Sequence, residues 1–198
     1  EHFRGWIDNY KVVSRAWTAE EVKTEALKYV DKSILQAAVD NQTAADQSQY
    51  IKGRWETYQA ALKTAQDTLA DKQALQSAVD PAADALEDVQ AWMRLDEALY
   101  VSVAADKESE YTKKSWASYG EALTEAKNLQ TSGTANRAEV LAAAQTLQKT
   151  QKALIEKGNT ITEAITRIDA IGKVELTPEC SRKVILAKQI CDMLDEEE

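Results

Sequence analysis

Shifted by 61 residues along itself, the chain aligns Ser48–Ala65 with Ser109–Ala126 without a gap, and eight of the eighteen paired positions are identical. The identities are Ser48/Ser109, Tyr50/Tyr111, Lys52/Lys113, Trp55/Trp116, Tyr58/Tyr119, Ala61/Ala122, Leu62/Leu123 and Ala65/Ala126. The same shift pairs Val79 with Val140, Ala82 with Ala143, Ala83 with Ala144, Leu86 with Leu147 and Gln90 with Gln151. Upstream it sets Ile34 against Leu95 and Ala37 against Ala98. Two copies of one pattern imply one supersecondary unit made twice, burying the same side each time. Each copy reads as helix, tyrosine-bearing loop, helix, polar loop, helix. This predicts two three-helix bundles in line, forming a rod, with one long helix over about residues 78–104 shared between them.

The local signals agree with helices throughout. Only six Gly and two Pro punctuate 198 residues, and strand-type alternation of Val, Ile and Thr is lacking. Thr18-Ala-Glu-Glu21 is a capping box, predicting a helix to about Val39. A second helix is expected from Ile51, where Ile51, Trp55, Tyr58, Leu62, Ala65 and Leu69 make one apolar stripe. Ser77 and Asp80 mark the next N-terminus, with Pro81 in the first turn and Val79, Leu86, Val89, Met93 and Tyr100 inward. Thr112 caps a helix carrying Trp116, Tyr119, Leu123 and Ala126, which Gly133 ends. Asn136-x-x-Glu139 opens another, with Val140, Ala143, Leu147 and Leu154 inward. Gly158-Asn159 reads as an interruption, and Thr160-Ile-Thr-Glu163 as a cap before Ile165, Ile168 and Ile171. Gly172 reads as a terminating glycine. Thr177-Pro178 starts a last helix with Val184, Ala187, Ile190, Cys191 and Leu194. Residues 1–17, with Phe3, Trp6, Ile7, Tyr10 and Val13, are expected to be helical as well. The fold class is therefore all-α, with a C-terminal helical hairpin after the tandem bundles. The expected divisions are 1–17, 18–93, 94–158 and 159–198.

Charge and composition remove several function classes. With 24 Lys+Arg against 33 Asp+Glu, the net charge is −9. No basic cluster offsets it, so nucleic acid and anionic membrane are poor partners. Apolar runs are too short to span a bilayer. The one histidine, His2, lies at the chain end, which leaves neither a His-based triad nor a His-rich metal site. Glu20, Glu21 and Asp195–Glu198 lack calcium-loop spacing and read as a helix N-terminus and a solvated tail. No catalytic residue, cofactor or metal is expected. On one helix Cys180 and Cys191 would lie about 16 Å apart, beyond the roughly 7 Å that a disulfide tolerates. Both are expected to be free. Asn41-Gln-Thr43 matches a glycosylation sequon without further support. Glu-His-Phe-Arg-Gly-Trp at the start has no signal-peptide features, so the chain is expected to be a piece of something longer.

Among the aromatics, Trp55, Tyr58, Trp116 and Tyr119 fall on the apolar stripes and are expected in the core rather than stacking on sugars. Tyr50 and Tyr111 read as packing anchors. Trp92 is different, because its repeat partner is Ala153. It lies at the edge of a stripe beside Ala85, Leu99 and Val103. Phe3, Trp6 and Trp17 also fall outside the repeat. These rings either seal junctions or anchor a partner, since Trp and Tyr are enriched at binding hot spots. Trp92 with Asp88, Arg94 and Asp96 is the candidate partner-binding face.

Tyr111-Thr-Lys-Lys-Ser-Trp-Ala-Ser-Tyr-Gly-Glu-Ala-Leu-Thr-Glu-Ala126, followed by Glu139-Val-Leu-Ala-Ala-Ala-Gln-Thr-Leu147, resembles the FIVAR module. Tyr50–Ala65 with Val79–Leu86 resembles a second copy, departing from the pattern at Ile51 and Arg54. Ala164–Leu194, with Ile168-Asp-Ala-Ile-Gly-Lys-Val174, is similar to a helical hairpin found beside such modules. The resemblance implies an accessory, non-catalytic part of a large secreted or wall-attached protein of Gram-positive bacteria, either an adhesin or a glycan-degrading enzyme. The two cysteines are unusual in that setting. By analogy with other three-helix surface modules, the expected partner is a host protein: an immunoglobulin or another serum or matrix protein. A host glycan, bound as an accessory to a glycosidase, is the alternative, and pure spacing a third. The expected location is extracellular or wall-attached.

Overall fold

The structure, a computed structural model, describes residues 13–41 and 46–195. Phe3, Trp6, Ile7 and Tyr10, Gln42-Thr43 of the sequon, and Glu196–Glu198 lie outside the described residues, as does the side chain of Leu194. The helices are α1 (Ala19–Leu27), α2 (Ser33–Asp40), α3 (Arg54–Ala70), α4 (Gln76–Tyr100), α5 (Lys113–Ser132), α6 (Arg137–Lys152), α7 (Lys157–Asp169) and α8 (Pro178–Asp195). Short 3-10 turns cover Gln47–Gln49 and Ala105–Glu110. There is no strand among the described residues, only an isolated bridge between Tyr111 and Glu156. The all-α expectation holds.

Contacts divide the chain into two compact units, and α3 and α4 each contribute one end to both. The first unit holds residues 1–42 and 60–86. Its core includes Leu35, Ala38, Val39, Ala65, Val79 and Leu86, all buried. The capping box at Thr18 and Glu21 is present, with both reciprocal bonds formed. The helix it opens stops at Leu27, however, and a second begins at Ser33, so the expected single helix to Val39 is broken. The break has a non-local cause. Lys32 donates its ammonium to the carbonyls of Thr68, Leu69 and Asp71 at 2.9, 3.1 and 2.7 Å, closing the free C-terminal end of α3. A cation there satisfies orphan carbonyls and opposes the negative end of the helix dipole. The Asp31 amide donates to Gln76 Oε1 at 2.8 Å, and Gln76 Nε2 donates back to the Asp31 carbonyl at 3.1 Å. A continuous helix would keep that backbone for itself.

The Glu21 carboxyl is held down to about 2, from an ordinary 4.5, chiefly by the Arg15 guanidinium and then by the Thr18 amide. Arg15 Nη1 lies 2.8 Å from its Oε2. Since the folded value is the lower one, this stabilisation is present above pH 4.5 and fades as pH falls toward about 2. Amide exchange over α1 is therefore expected to speed up through that acid window relative to intrinsic rates. Glu21→Gln should flatten the dependence.

The second unit holds residues 43–59 and 87–198. Its core gathers Leu95 and Ala98 from α4, Trp116, Tyr119, Leu123 and Ala126 from α5, and Val140, Ala143, Ala144 and Leu147 from α6. Gly133 ends α5 in the left-handed region at φ +64°, as a terminating glycine should. Asn136 and Glu139 form a complete capping box. The Cys180 amide donates a cap bond to Thr177 Oγ1, 3.2 Å away. Both cysteines are free, Cys180 buried and Cys191 half-buried.

Several boundaries differ from the periodicity reading. Helix α3 starts at Arg54, not Ile51, because Gly53 sits at φ +86° and interrupts the helical path; Ile51 is left exposed. Helix α4 spans 76–100 rather than 78–104. Pro81 is therefore its sixth residue and not in the first turn, and it forgoes one internal hydrogen bond. Tyr100 at its end is exposed, outside the stripe assigned to it. Helix α7 starts at Lys157 and runs through Gly158-Asn159. The chain before it is pinned by Thr112 N–H to the Ile155 carbonyl at 2.8 Å and by Ile155 N–H to Ser115 Oγ at 3.2 Å. That anchoring sets the start, and a glycine is cheap in a first turn whose amides have no internal partner. Among the described side chains of the α7–α8 hairpin the buried ones are Ala164, Cys180 and Ala187, while Ile165, Ile168 and Val184 are exposed. Two helices alone bury only the strip each turns to the other, and small residues occupy that strip.

Candidate functional site

The repeated aromatics form two matching triads within the second unit. Tyr50 stacks on Trp55 with centroids 5.8 Å apart and planes 15° off parallel, and Trp55 tilts against Tyr58 at 5.6 Å. Tyr111 stacks on Trp116 at 5.7 Å and 21°, and Trp116 meets Tyr119 at 5.1 Å. The spacing i, i+5, i+8 from a loop residue into a helix puts three rings in a column. Tyr50, Tyr58, Trp116 and Tyr119 are buried, Trp55 and Tyr111 half-buried. The polar tips are used internally: Tyr50 donates its hydroxyl to Glu97 at 2.7 Å, and Tyr119 donates to the Val103 carbonyl at 2.7 Å. Burial, then the Glu97 bond, pushes the Tyr50 phenol up, and burial does the same to Tyr119. Each tryptophan is flanked by a tyrosine from the loop and one from its own helix, so the triads hold the loop to the helix as packing anchors.

The four residues of the candidate partner face do not come together. Asp88 is exposed, and its carboxylate accepts from Arg137 Nε at 2.7 Å; the same guanidinium also binds Glu87. Trp92, four residues on and on the same side of α4, is half-buried and packs on the second unit's core. The Arg54 guanidinium lies over its ring, 4.9 Å from the centroid. Asp96 continues that side but is only 1% exposed. It accepts from Arg54 Nε at 3.0 Å and from Gln130 Nε2 at 2.8 Å. Arg94 is exposed but lies about 200° around the helix from Trp92. Asp96 is thus a core residue and Arg94 belongs to another face. Asp88 and the free edge of Trp92 remain at the surface. Glu97 and Gln130 were not singled out by sequence, and Arg54 only as a departure from the FIVAR pattern. The signal for Asp96 was available: the 61-residue shift places it on the fully buried Leu35.

Two open grooves lie in this unit. One, of about 560 Å³, runs along α5 past Gly120, Thr124 and Asn128; the other, of about 450 Å³, is lined by Val103, Tyr111 and Leu154. Neither is enclosed. Among the described residues no group of His, Cys, Asp and Glu is placed to hold a metal ion, and no helix is long and apolar enough to cross a membrane.

Residues 31–91 and 99–154 each match the FIVAR domain, together more than half of the chain. The chain belongs to the FIVAR domain family. No curated protein and no solved structure matches it. FIVAR domains are small non-catalytic modules that occur in extracellular bacterial proteins. The first FIVAR match begins at residue 31, beside the break between α1 and α2, and the second ends at 154, ahead of the α7–α8 hairpin. The tandem arrangement expected from the repeat is therefore shown, with α4 serving the end of one match and the approach to the next.

Proposed function

We propose that this chain is a non-enzymatic binding and spacing region of a bacterial surface protein. In this reading it contacts a host protein, such as an immunoglobulin or another serum or matrix protein, through a helix face. The observation that carries the reading is the state of the aromatics. In both FIVAR modules the rings that a sugar would stack on pack on each other, and the hydroxyls of Tyr50 and Tyr119 are bonded inside. A helix face supplies affinity differently, from a few anchors ringed by polar side chains. The side of α4 bearing Asp88 and the edge of Trp92 has that composition.

The test is a pull-down from serum set beside a glycan array. Capture of a serum protein supports the reading; saturable glycan binding with no protein capture replaces it with the glycosidase-accessory alternative. Asp88→Asn should reduce capture at least severalfold with little change in melting, since the exposed pair it weakens with Arg137 is of a kind that contributes about 0–1 kcal/mol, whereas Arg94→Glu, on another face, should not reduce capture. With a net charge of −9, association is expected to favour basic surfaces and to slow as salt rises. On-rates measured from 50 to 500 mM NaCl check this.

A further inference from the structure

The second FIVAR module departs from the first at one buried place. Under the 61-residue shift Asp96 stands where the first copy has Leu35, and Gln130 where it has Leu69. Leu35 is fully buried and Leu69 half-buried. Two leucines have been exchanged for a carboxylate and an amide that bond to each other at 2.8 Å. A buried carboxylate is costly unless it is both paired and hydrogen-bonded. Asp96 has no exposed side-chain surface, and the amide of Gln130 satisfies only one of its oxygens. The other oxygen is met by Arg54, 3.0 Å away, whose side chain is 16% exposed and whose guanidinium covers Trp92. Arg54 comes from the preceding FIVAR copy. Its repeat counterpart is Ser115, which bonds instead to Thr112 and Ile155. All three residues lie in the second compact unit, together with the segment 43–59 that carries Arg54.

We propose that Asp96 and Gln130 form a recognition slot for the guanidinium of the preceding module, so that the partner this surface fits is a FIVAR copy with Arg at the position of Arg54. A copy with Ser there, like the second one, leaves the slot's carboxylate unpaired. Leucines at these two positions, as in the first copy, give the guanidinium nothing to bind. The polar exchange makes the modules non-interchangeable and fixes which may precede which. Buried polar contacts are known to specify register and partner at some cost in stability. Trp92, missing from both equivalent positions (Asp31 and Ala153), completes the slot by stacking on the same guanidinium.

The test compares the full chain with Arg54→Ser and with the triple variant Arg54→Ser/Asp96→Leu/Gln130→Leu, which installs the residues the other copy carries at each place. Thermal melting and amide exchange of residues 50–59 are read together. Arg54→Ser is expected to lower the melting temperature and to speed exchange of 50–59 at least tenfold. The triple variant is expected to recover the melting temperature while exchange of 50–59 stays at least tenfold fast, because an apolar slot is stable but does not select its neighbour. Wild-type exchange in the triple variant would overturn the proposal, since an apolar contact would then hold the segment equally well. A triple variant melting as low as Arg54→Ser would overturn it too, by making the polar set a matter of core stability and not of selection.

Discussion

Trp116→Ala is expected to destabilise the chain by about 3–5 kcal/mol, the range for truncating a buried large aromatic. The ring is 7% exposed, lies in the core of the second unit, and contacts Tyr111 on one side and Tyr119 on the other. Removing it leaves a cavity and also ends two aromatic contacts, each of a kind that contributes about 0.5–1.5 kcal/mol beyond area burial. Trp55→Ala at the repeat-related position should cost clearly less. Its ring makes the same pair of contacts but is only half-buried, so part of it is already in water. Urea unfolding of both variants checks the order. Equal losses would mean that the two triads are energetically the same despite their different cover.

Asp96→Ala is expected to cost a similar amount, about 3–5 kcal/mol, for a different reason. The substitution removes little apolar surface. It strands the Arg54 guanidinium and the Gln130 amide, which both point at the lost carboxylate from 3.0 and 2.8 Å. Arg54 retains some access to water, so it can relax outward and bring the loss toward the lower end of that range. Asp96→Asn, which keeps the shape and an acceptor oxygen, should lose less. An Asp96→Ala variant within 0.5 kcal/mol of the wild type, by the same unfolding measurement, would contradict the buried position of this carboxylate.

What sequence reasoning reached, and what it did not, divides by range along the chain. The capping boxes at Thr18/Glu21 and Asn136/Glu139, the N-cap at Thr177 and the glycine stop at Gly133 are local chemistry, complete within four or five residues. They were legible for that reason. The repeat was legible because it needs no knowledge of partners. The break at residues 28–32 was not, since its cause is Lys32 reaching the end of α3 some 36–39 residues away. The hairpin isoleucines were read inward because periodicity marks an apolar face without saying how much of it a single partner helix covers. Asp96 was grouped with its neighbour Trp92 in the partner-binding face, although its repeat position, its neighbours Met93 and Leu95, and the side of α4 it shares with Val89 all argued for burial. Position within a repeat outweighs residue type there, because a second module can supply the counter-ion that burial demands.

The central claim is that one unbroken helix, Gln76–Tyr100, carries the end of the first FIVAR match and reaches the start of the second. Residue-resolved amide exchange along α4 tests it most directly, with attention to residues 87–94, which follow the boundary between the two compact units at 86/87 and include the end of the first match at 91. Continuous protection from residue 82, just past Pro81, to Ala98, with residues 87–94 slowed as much as their neighbours, is the result this structure requires. A window of fast exchange there, flanked by protected helix, would show two modules joined by a linker and would contradict the shared helix.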